Sequence, residues 1–318
     1  MQLVTGGFGF IGTHTVRALL DLGQPCVLTQ HRSSRIPAFI QNEIGSQIFI
    51  EQLDVTDTAA FLKIGEKYDI AGIVHLGGSF SRSPSGPFEN IRTNMTGLAN
   101  ALQAAYEWKV RRIVIPSTLA VYNGITSSPW REDQPIPCTA SFPIEALKKA
   151  SEVFCSYFAN SSGIECIVIR IAGIYGPLYN TTRGNLVGRL VHAAVKRTKP
   201  DLHNVLGSVY ADDGFDWCYV EDCGRAIALL QITQDLHHRV YNVAAGQPTR
   251  NQDLVDAIVK IIPDFDAHLP PGADPNGLMF VPYQDITWLR EDTGYEPRFN
   301  VEAGIADYIA WLRAGNAE

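Results

Sequence analysis

The chain has 318 residues, 46% hydrophobic and 19% charged, enough for one large α/β domain or two unequal lobes around a full core. A net charge of −7 gives no electrostatic case for nucleic acid or an anionic membrane. No apolar run approaches the ~20 residues that span a bilayer, and no basic segment with an apolar one behind it precedes the first strand, so no secretory signal is expected.

The glycine pattern at the start of the chain is the strongest signal. Leu3-Val4-Thr5 is a short apolar strand that breaks into Gly6-Gly7-Phe8-Gly9-Phe10-Ile11-Gly12. Glycines at 6, 9 and 12, between a strand and a helix, suit a dinucleotide pyrophosphate. The first permits a tight turn, the second lets backbone approach the phosphates, and the third lets helix pack on strand. The helix that follows carries Ile11, Thr15, Ala18, Leu19 and Leu22 on one stripe and aims its positive end at the phosphates.

The next strand, Cys26 to Thr29, leads into Gln30-His31-Arg32-Ser33-Ser34-Arg35. An acidic residue here would bond a ribose 2′-hydroxyl, and there is none. Arg32 and Arg35 suit a 2′-phosphate instead, so NADP is the expected cofactor and NAD the alternative. Strands are then expected at Gln47 to Ile50, Ile70 to His75, Arg112 to Ile115 and Glu165 to Ile169. Helices are expected at Ala59 to Tyr68, Phe88 to Trp108 and Ile144 to Asn160. The alternation implies right-handed crossovers and an α/β, doubly wound parallel sheet, its strands apolar on both faces.

Past Gly173 the pattern loosens. Loops at Gly176 to Asn185, Thr198 to Gly214 and Pro263 to Gly277 separate short elements at Glu221 to Ile232, Val240 to Val243, Asn251 to Ile262 and Val301 to Leu312. We expect a dinucleotide domain over 1–172 and a smaller, irregular substrate lobe over 173–318, some of whose segments return to the first domain. The six cysteines, Cys26, Cys138, Cys155, Cys166, Cys218 and Cys223, lack C-x-x-C spacing and are expected to be reduced thiols of a cytoplasmic protein. No metal site is assigned, because His237-His238 reads as a solvated turn and there is no H-E-x-x-H.

Eight segments in order resemble the extended short-chain dehydrogenase/reductase family of epimerases, dehydratases and related reductases. Thr5 to Gly12 resembles its T-G-G-x-G-x-x-G turn. Leu53-Asp54-Val55-Thr56-Asp57 resembles the segment whose Asp reaches the adenine. Val74-His75-Leu76-Gly77-Gly78 is similar to H-L-A-A, with glycines for alanines, and Asn94-Met95-Thr96-Gly97 to N-V-x-G-T. Pro116 to Tyr122 resembles the strand bearing a catalytic Ser/Thr, here Thr118. Arg170 to Pro177 resembles R-x-x-N-v-Y-G-P, Asp216 to Asp222 the D-F-x-Y-V-x-D segment, and Tyr241-Asn242-Val243 the Y-N-V strand.

The resemblance implies a Rossmann domain whose cofactor meets Gly6, Gly9, Phe10, Ile11 and Gly12 at the turn. It also implies contacts from Asp54 and Val55, from Leu76, Gly77 and Gly78, and from Asn94 and Lys148. Ser79, Arg82, Thr118 and Tyr175 are the expected substrate contacts, with Ser81 in the same undecided loop. A homodimer is implied through the two long helices, with Tyr106, Val153 and Tyr157 there or in the core.

The family's P-Y-x-x-S-K-x-x-x-E falls on Pro143 to Glu152, and its tyrosine position holds Ile144. A register one residue later offers Glu145 and Lys149; the first is preferred because it keeps Pro143 and Glu152. In the family the phenol transfers a proton, the lysine lowers its pKa and holds the ribose, and the Ser/Thr orients the substrate oxygen. Isoleucine transfers none. Glu145, with Tyr122 and Tyr175 behind it, is the expected replacement, on the ground that burial raises a carboxyl's pKa. Gly173 stands where the family has Asn, and Phe215 where nucleotide-sugar enzymes carry Arg, which argues against a nucleotide sugar. Three functions stay open: an NADP-dependent enzyme on a small carbonyl- or hydroxyl-bearing metabolite, a non-redox lyase, isomerase or hydrolase, and a nucleotide-binding sensor.

Overall fold

Two apolar faces on each central strand dictate the architecture. The computed structural model describes residues 1–31, 36–79, 86–179, 184–203, 205, 207–278 and 280–316. Its strands are β1 (Gln2–Thr5), β2 (Cys26–Gln30), β3 (Ile48–Gln52), β4 (Gly72–His75), β5 (Arg112–Thr118), β6 (Glu165–Ile171), β7 (Gly173–Tyr175), β8 (Gly214–Phe215), β9 (Trp217–Tyr219), β10 (Val240–Val243) and β11 (Thr249–Arg250). Its helices are α1 (Phe10–Asp21), α2 (Thr58–Lys67), α3 (Gly86–Glu107), α4 (Pro143–Ser162), α5 (Leu186–Lys196), α6 (Val220–Ile232), α7 (Asn251–Val259), α8 (Thr287–Thr293) and α9 (Val301–Arg313).

Seven strands pair in parallel in the order β10-β6-β5-β4-β1-β2-β3. Leu3, Val27, Ile73, Ile113 and Cys166 are register neighbours and face one layer, with α2, α3 and α4. Their successors Val4, Leu28, Val74, Val114 and Ile167 face the other, with α1 and α6. Period-two alternation thus feeds two cores from one sheet. A third core joins α5, α7 and α9 in the C-terminal part. The chain crosses between the two parts: β10 joins the large sheet and α6 packs on its face although both follow β7 to β9.

Several boundaries differ from the sequence reading. Pro116 suggests an end at Ile115, yet β5 runs on to Thr118. β4 pairs with it only as far as Val114, so the proline stands beyond that ladder. α5 occupies the stretch left unassigned between two loops; Asn185 caps it, accepting from Gly188 N–H at 3.3 Å, and Leu186, Val187, Leu190 and Val191 are buried. α7 ends at Val259, short of Ile262.

Candidate functional site

The turn after β1 is a cradle made by the absence of side chains. Gly6 has φ of 68°, and Gly9 N–H donates to Gly6 O at 2.9 Å. A Cβ at Gly12 would stand 2.1 Å from Gly6 O, and one at Gly9 3.1 Å from it. Gly9 caps α1 without a side-chain acceptor, and the first turn holds no acidic residue. The opening N–H groups of α1, those of Phe10 and Ile11 among them, therefore have no side-chain cap, and the positive helix end is not neutralised. These residues fit a pyrophosphate.

The end of β4 closes on this turn. A Cβ at Gly6 would meet Gly77 N and the Leu76 carbonyl carbon at 2.9 Å. Thr5 Oγ1 accepts from Gly77 N–H at 3.0 Å and shares a hydrogen bond with His75 Nδ1 at 2.9 Å. Burial, with the Lys148 charge nearby, pushes His75 down to about 3, so its ring is neutral. A Cβ at Gly77 would lie 3.0 Å from Val55, which explains glycine where the family pattern has alanine, and one at Gly97, where the family pattern also has glycine, would lie as close. Gly78 is exposed. Asn94 donates to Ser79 O and Asn90 O, both at 2.7 Å, and so fixes the loop leaving β4. Asp54 accepts from Thr56 N–H and Oγ1 and lies 3.5 Å from His31 Nε2. Arg32, Arg35, Ser81 and Arg82 lie outside the described residues.

On the opposite side stands α4. Pro143 occupies its first turn, where the missing N–H costs nothing, and Gly163 ends it with φ of 73°. Lys148 is half-buried; burial pushes it down to about 8, partly offset by Cys155 and Glu152. α4 packs against β5, which ends at Thr118, and Lys148 lies within electrostatic reach of His75 at the end of β4. Ile144, one turn earlier on the same face, is half-buried too. Thr118, the last residue of β5, is half-buried, and its Oγ1 accepts from Ala120 N–H at 3.3 Å.

Glu145 is a correction. Its side chain is 2% exposed, and burial alone would raise it. Hydrogen bonds from Lys149 Nζ (2.7 Å), Ser141 N–H (2.9 Å) and Asn123 Nδ2 (3.2 Å) outweigh burial and hold it below the usual carboxylate range. Lys149 also donates to Thr139 O at 2.6 Å. Glu145 and Lys149 tie the 139–141 loop to the start of α4, and the expected raised acid is absent.

The two tyrosines are corrections as well. Tyr122 is fully buried, donates to Asn242 Oδ1 at 2.7 Å and accepts from Arg170 Nη1 at 3.0 Å. Tyr175 is 1% exposed, its ring edge-on to Tyr219 and its hydroxyl against Gly304 of α9. Burial pushes both phenols up, and Tyr175 is core where a substrate contact was expected.

A polar network behind Thr118 went unread in the sequence. Arg170 holds Glu152 at 2.8 Å, and Glu152 accepts from Ser117. Glu132 accepts Asn242 N–H at 2.7 Å, and burial pushes its carboxyl up to about 7. Gln284 donates to Arg170 O and Asn242 Oδ1. The partners are up to 114 residues apart, so no local spacing announces them. Among the described residues there is no His/Cys/Asp/Glu group able to hold a metal ion, and no helix long and apolar enough to cross a membrane.

A parallel sheet in the order 3-2-1-4-5-6 extended by β10, with a glycine cradle at the end of its first strand, defines a Rossmann-type α/β protein. The chain belongs to the NAD dependent epimerase/dehydratase family, which it matches over residues 2–244. It is 26% identical to a dTDP-glucose 4,6-dehydratase of Actinoplanes sp., over 99% of this chain and 98% of that one. It is 28% identical to the human UDP-glucose 4-epimerase, over 81% of each. Among solved structures, the UDP-glucose 4-epimerase of Thermotoga maritima with UDP-glucose superposes with a TM-score of 0.81, at 22% identity and 99% coverage of both chains. The dTDP-glucose 4,6-dehydratase DesIV of Streptomyces venezuelae, with NAD bound, gives 0.78 at 23% identity, over 98% of this chain and 97% of that one. The chain is an enzyme of the epimerase/dehydratase type.

Proposed function

We propose that this enzyme binds NADP at the glycine cradle and acts at Thr118 and Lys148 on a small metabolite bearing a carbonyl or hydroxyl, without a catalytic tyrosine. One observation carries the reading. Lys148 lies within electrostatic reach of His75 at the end of β4, and Ile144 shares its helix face. When bound, the nicotinamide supplies or takes a hydride. Thr118 donates a hydrogen bond to the substrate oxygen, and Lys148 holds the ribose. With no phenol at Ile144, Lys148 is also the titrating group on that face, and near 8 it holds or releases a proton close to neutral pH.

A second reading is a nucleotide-sugar substrate. Relatives named for dTDP-glucose and UDP-glucose support it; Gly173 and Phe215 in place of Asn and Arg weigh against it. Several neighbours hold NAD, which makes NAD the alternative cofactor. We assign the protein to the cytoplasm on its free cysteines. We also assign it a homodimer through α3 and α4, where Tyr106, Val153 and Tyr157 are 61%, 69% and 72% exposed.

Calorimetric titration with both cofactors, followed by nicotinamide absorbance across a carbonyl panel, tests the reading. We expect tighter binding of NADP and substrate-dependent oxidation of NADPH. Tighter NAD binding overturns the cofactor assignment. Product formed from a nucleotide sugar alone overturns the substrate.

A further inference from the structure

We infer that Phe215 and Trp217 form a subsite for a flat apolar group on the substrate. The inference deepens the function proposed above and rests on Thr118 marking the reacting end of the proposed site. Gly173 pairs with Trp217 and Tyr175 with Tyr219. Alternate residues share a face, so Phe215, Trp217 and Tyr219 make one aromatic row. The inner end is closed: Tyr219 is 1% exposed, its ring 5.4 Å from Tyr175 and 4.4 Å from Phe299. At the outer end Phe215 and Trp217 are only half-buried, their centroids 5.5 Å apart. The row therefore leaves the core and ends at the surface.

It ends beside the reacting edge. Thr118 is the register partner of Ile171, and Gly173 stands two residues further on, about 7 Å along an extended chain. Gly173 is what makes room for the rings. A Cβ there would lie 2.8 Å from the Trp217 ring and 2.9 Å from Phe215.

The charges favour an uncharged occupant over a pyrophosphate. Residues 211–220 include Asp212, Asp213 and Asp216 and no basic residue. Asp216 is 3% exposed and is committed to the N–H groups of Ala245, Gly246 and Gln284. Arg250, paired to Gly214 across β8 and β11, is held by Asp253 at 2.9 Å and lies 3.9 Å from Asp212. Two ring faces in acidic surroundings recognise a planar, neutral group.

The probe is 2-naphthylmethanol, titrated by saturation-transfer NMR into the full chain loaded with nicotinamide cofactor, with UDP and UDP-glucose as competitors. Saturable binding is expected, weakened about tenfold in Trp217→Leu and in Phe215→Leu, and UDP and UDP-glucose should not displace the probe. Phe215→Leu, at a half-buried ring, keeps the test alive where Trp217→Leu fails to fold. Absence of saturable binding, unchanged affinity in the folded variants, or displacement by UDP overturns the subsite. Failure of the reading at Thr118 shows separately, as full turnover in Thr118→Ala.

Discussion

The two walls of the proposed site are built from different materials. On the dinucleotide side the features are backbone: a positive φ at Gly6, a close approach at Gly9, and a helix start with no side-chain cap. On the α4 side they are side chains: Ile144, Lys148 and the hydroxyl of Thr118. The difference explains why one wall keeps the family pattern and the other departs from it. Gly12 lets α1 sit on the turn, where any Cβ strikes Gly6 O, so the cradle cannot change without moving a helix that packs the main core. Ile144 stands at a half-buried position on the face of α4 that carries Lys148, and no backbone contact like that of Gly12 ties its identity to the fold.

The sharpest way to break this comparison is Gly9→Val. Gly9 is exposed and a Cβ there meets only Gly6 O, at 3.1 Å, so the variant should fold with a somewhat lower melting temperature while its branched side chain blocks the approach to the cradle. Loss of saturable NADP and NAD binding by calorimetry, in a variant that still melts cooperatively, is the expected result. Wild-type affinity in the variant would show that the turn holds no pyrophosphate.

On the other wall, Thr118→Ala should lower kcat about a hundredfold, the scale of one positioned proton-handling group. Its cost in stability is small, since the hydroxyl bonds only Ala120 N–H, at 3.3 Å, among its described hydrogen bonds. Ile144→Tyr sharpens the same point. A phenol one helical turn from Lys148 should raise hydride transfer about tenfold, less than a fully positioned group gives. Rates unchanged in both variants would place the chemistry elsewhere.

The sequence made the first wall legible and left much of the second hidden. The glycine spacing and the alternating strands are local patterns that spacing and periodicity find, and Thr118 is reached through the family resemblance of its strand. Glu145 resembled a candidate acid because its neighbours in the chain are apolar. Its true partners are the 141 backbone, Asn123 and Lys149, and they reverse the effect of burial. Tyr175 follows a family landmark, yet Gly304, well over a hundred residues later, takes its hydroxyl into a core. α5 carries a clear apolar stripe of Leu186, Val187, Leu190, Val191 and Ala194, and it is missed only because the polar loops on either side draw the eye to the boundaries. Side-chain roles set by distant segments do not appear in spacing.

The smallest expected effect tests whether Lys148 is held charged against its surroundings. Its pKa falls from 10.5 to about 8 on folding, chiefly through burial. The unfolded chain then binds more protons than the native one between those values, so wild-type stability rises with pH across that window. Below it the native lysine carries the full cost of a charge in a partly dry site. Lys148→Met removes that cost, and water reaching the half-buried side chain has already screened part of it. Near neutral pH the variant should melt about 2 °C above the wild type, and the gap should close as pH approaches 10.5. The same substitution should weaken NADP binding, because the ammonium that destabilises the empty fold is the group offered to the ribose. A melting temperature below the wild type at every pH would mean that Lys148 stabilises the fold through an ion pair. The cost of charging it would then not be what places its pKa near the working range of a proton-transfer group.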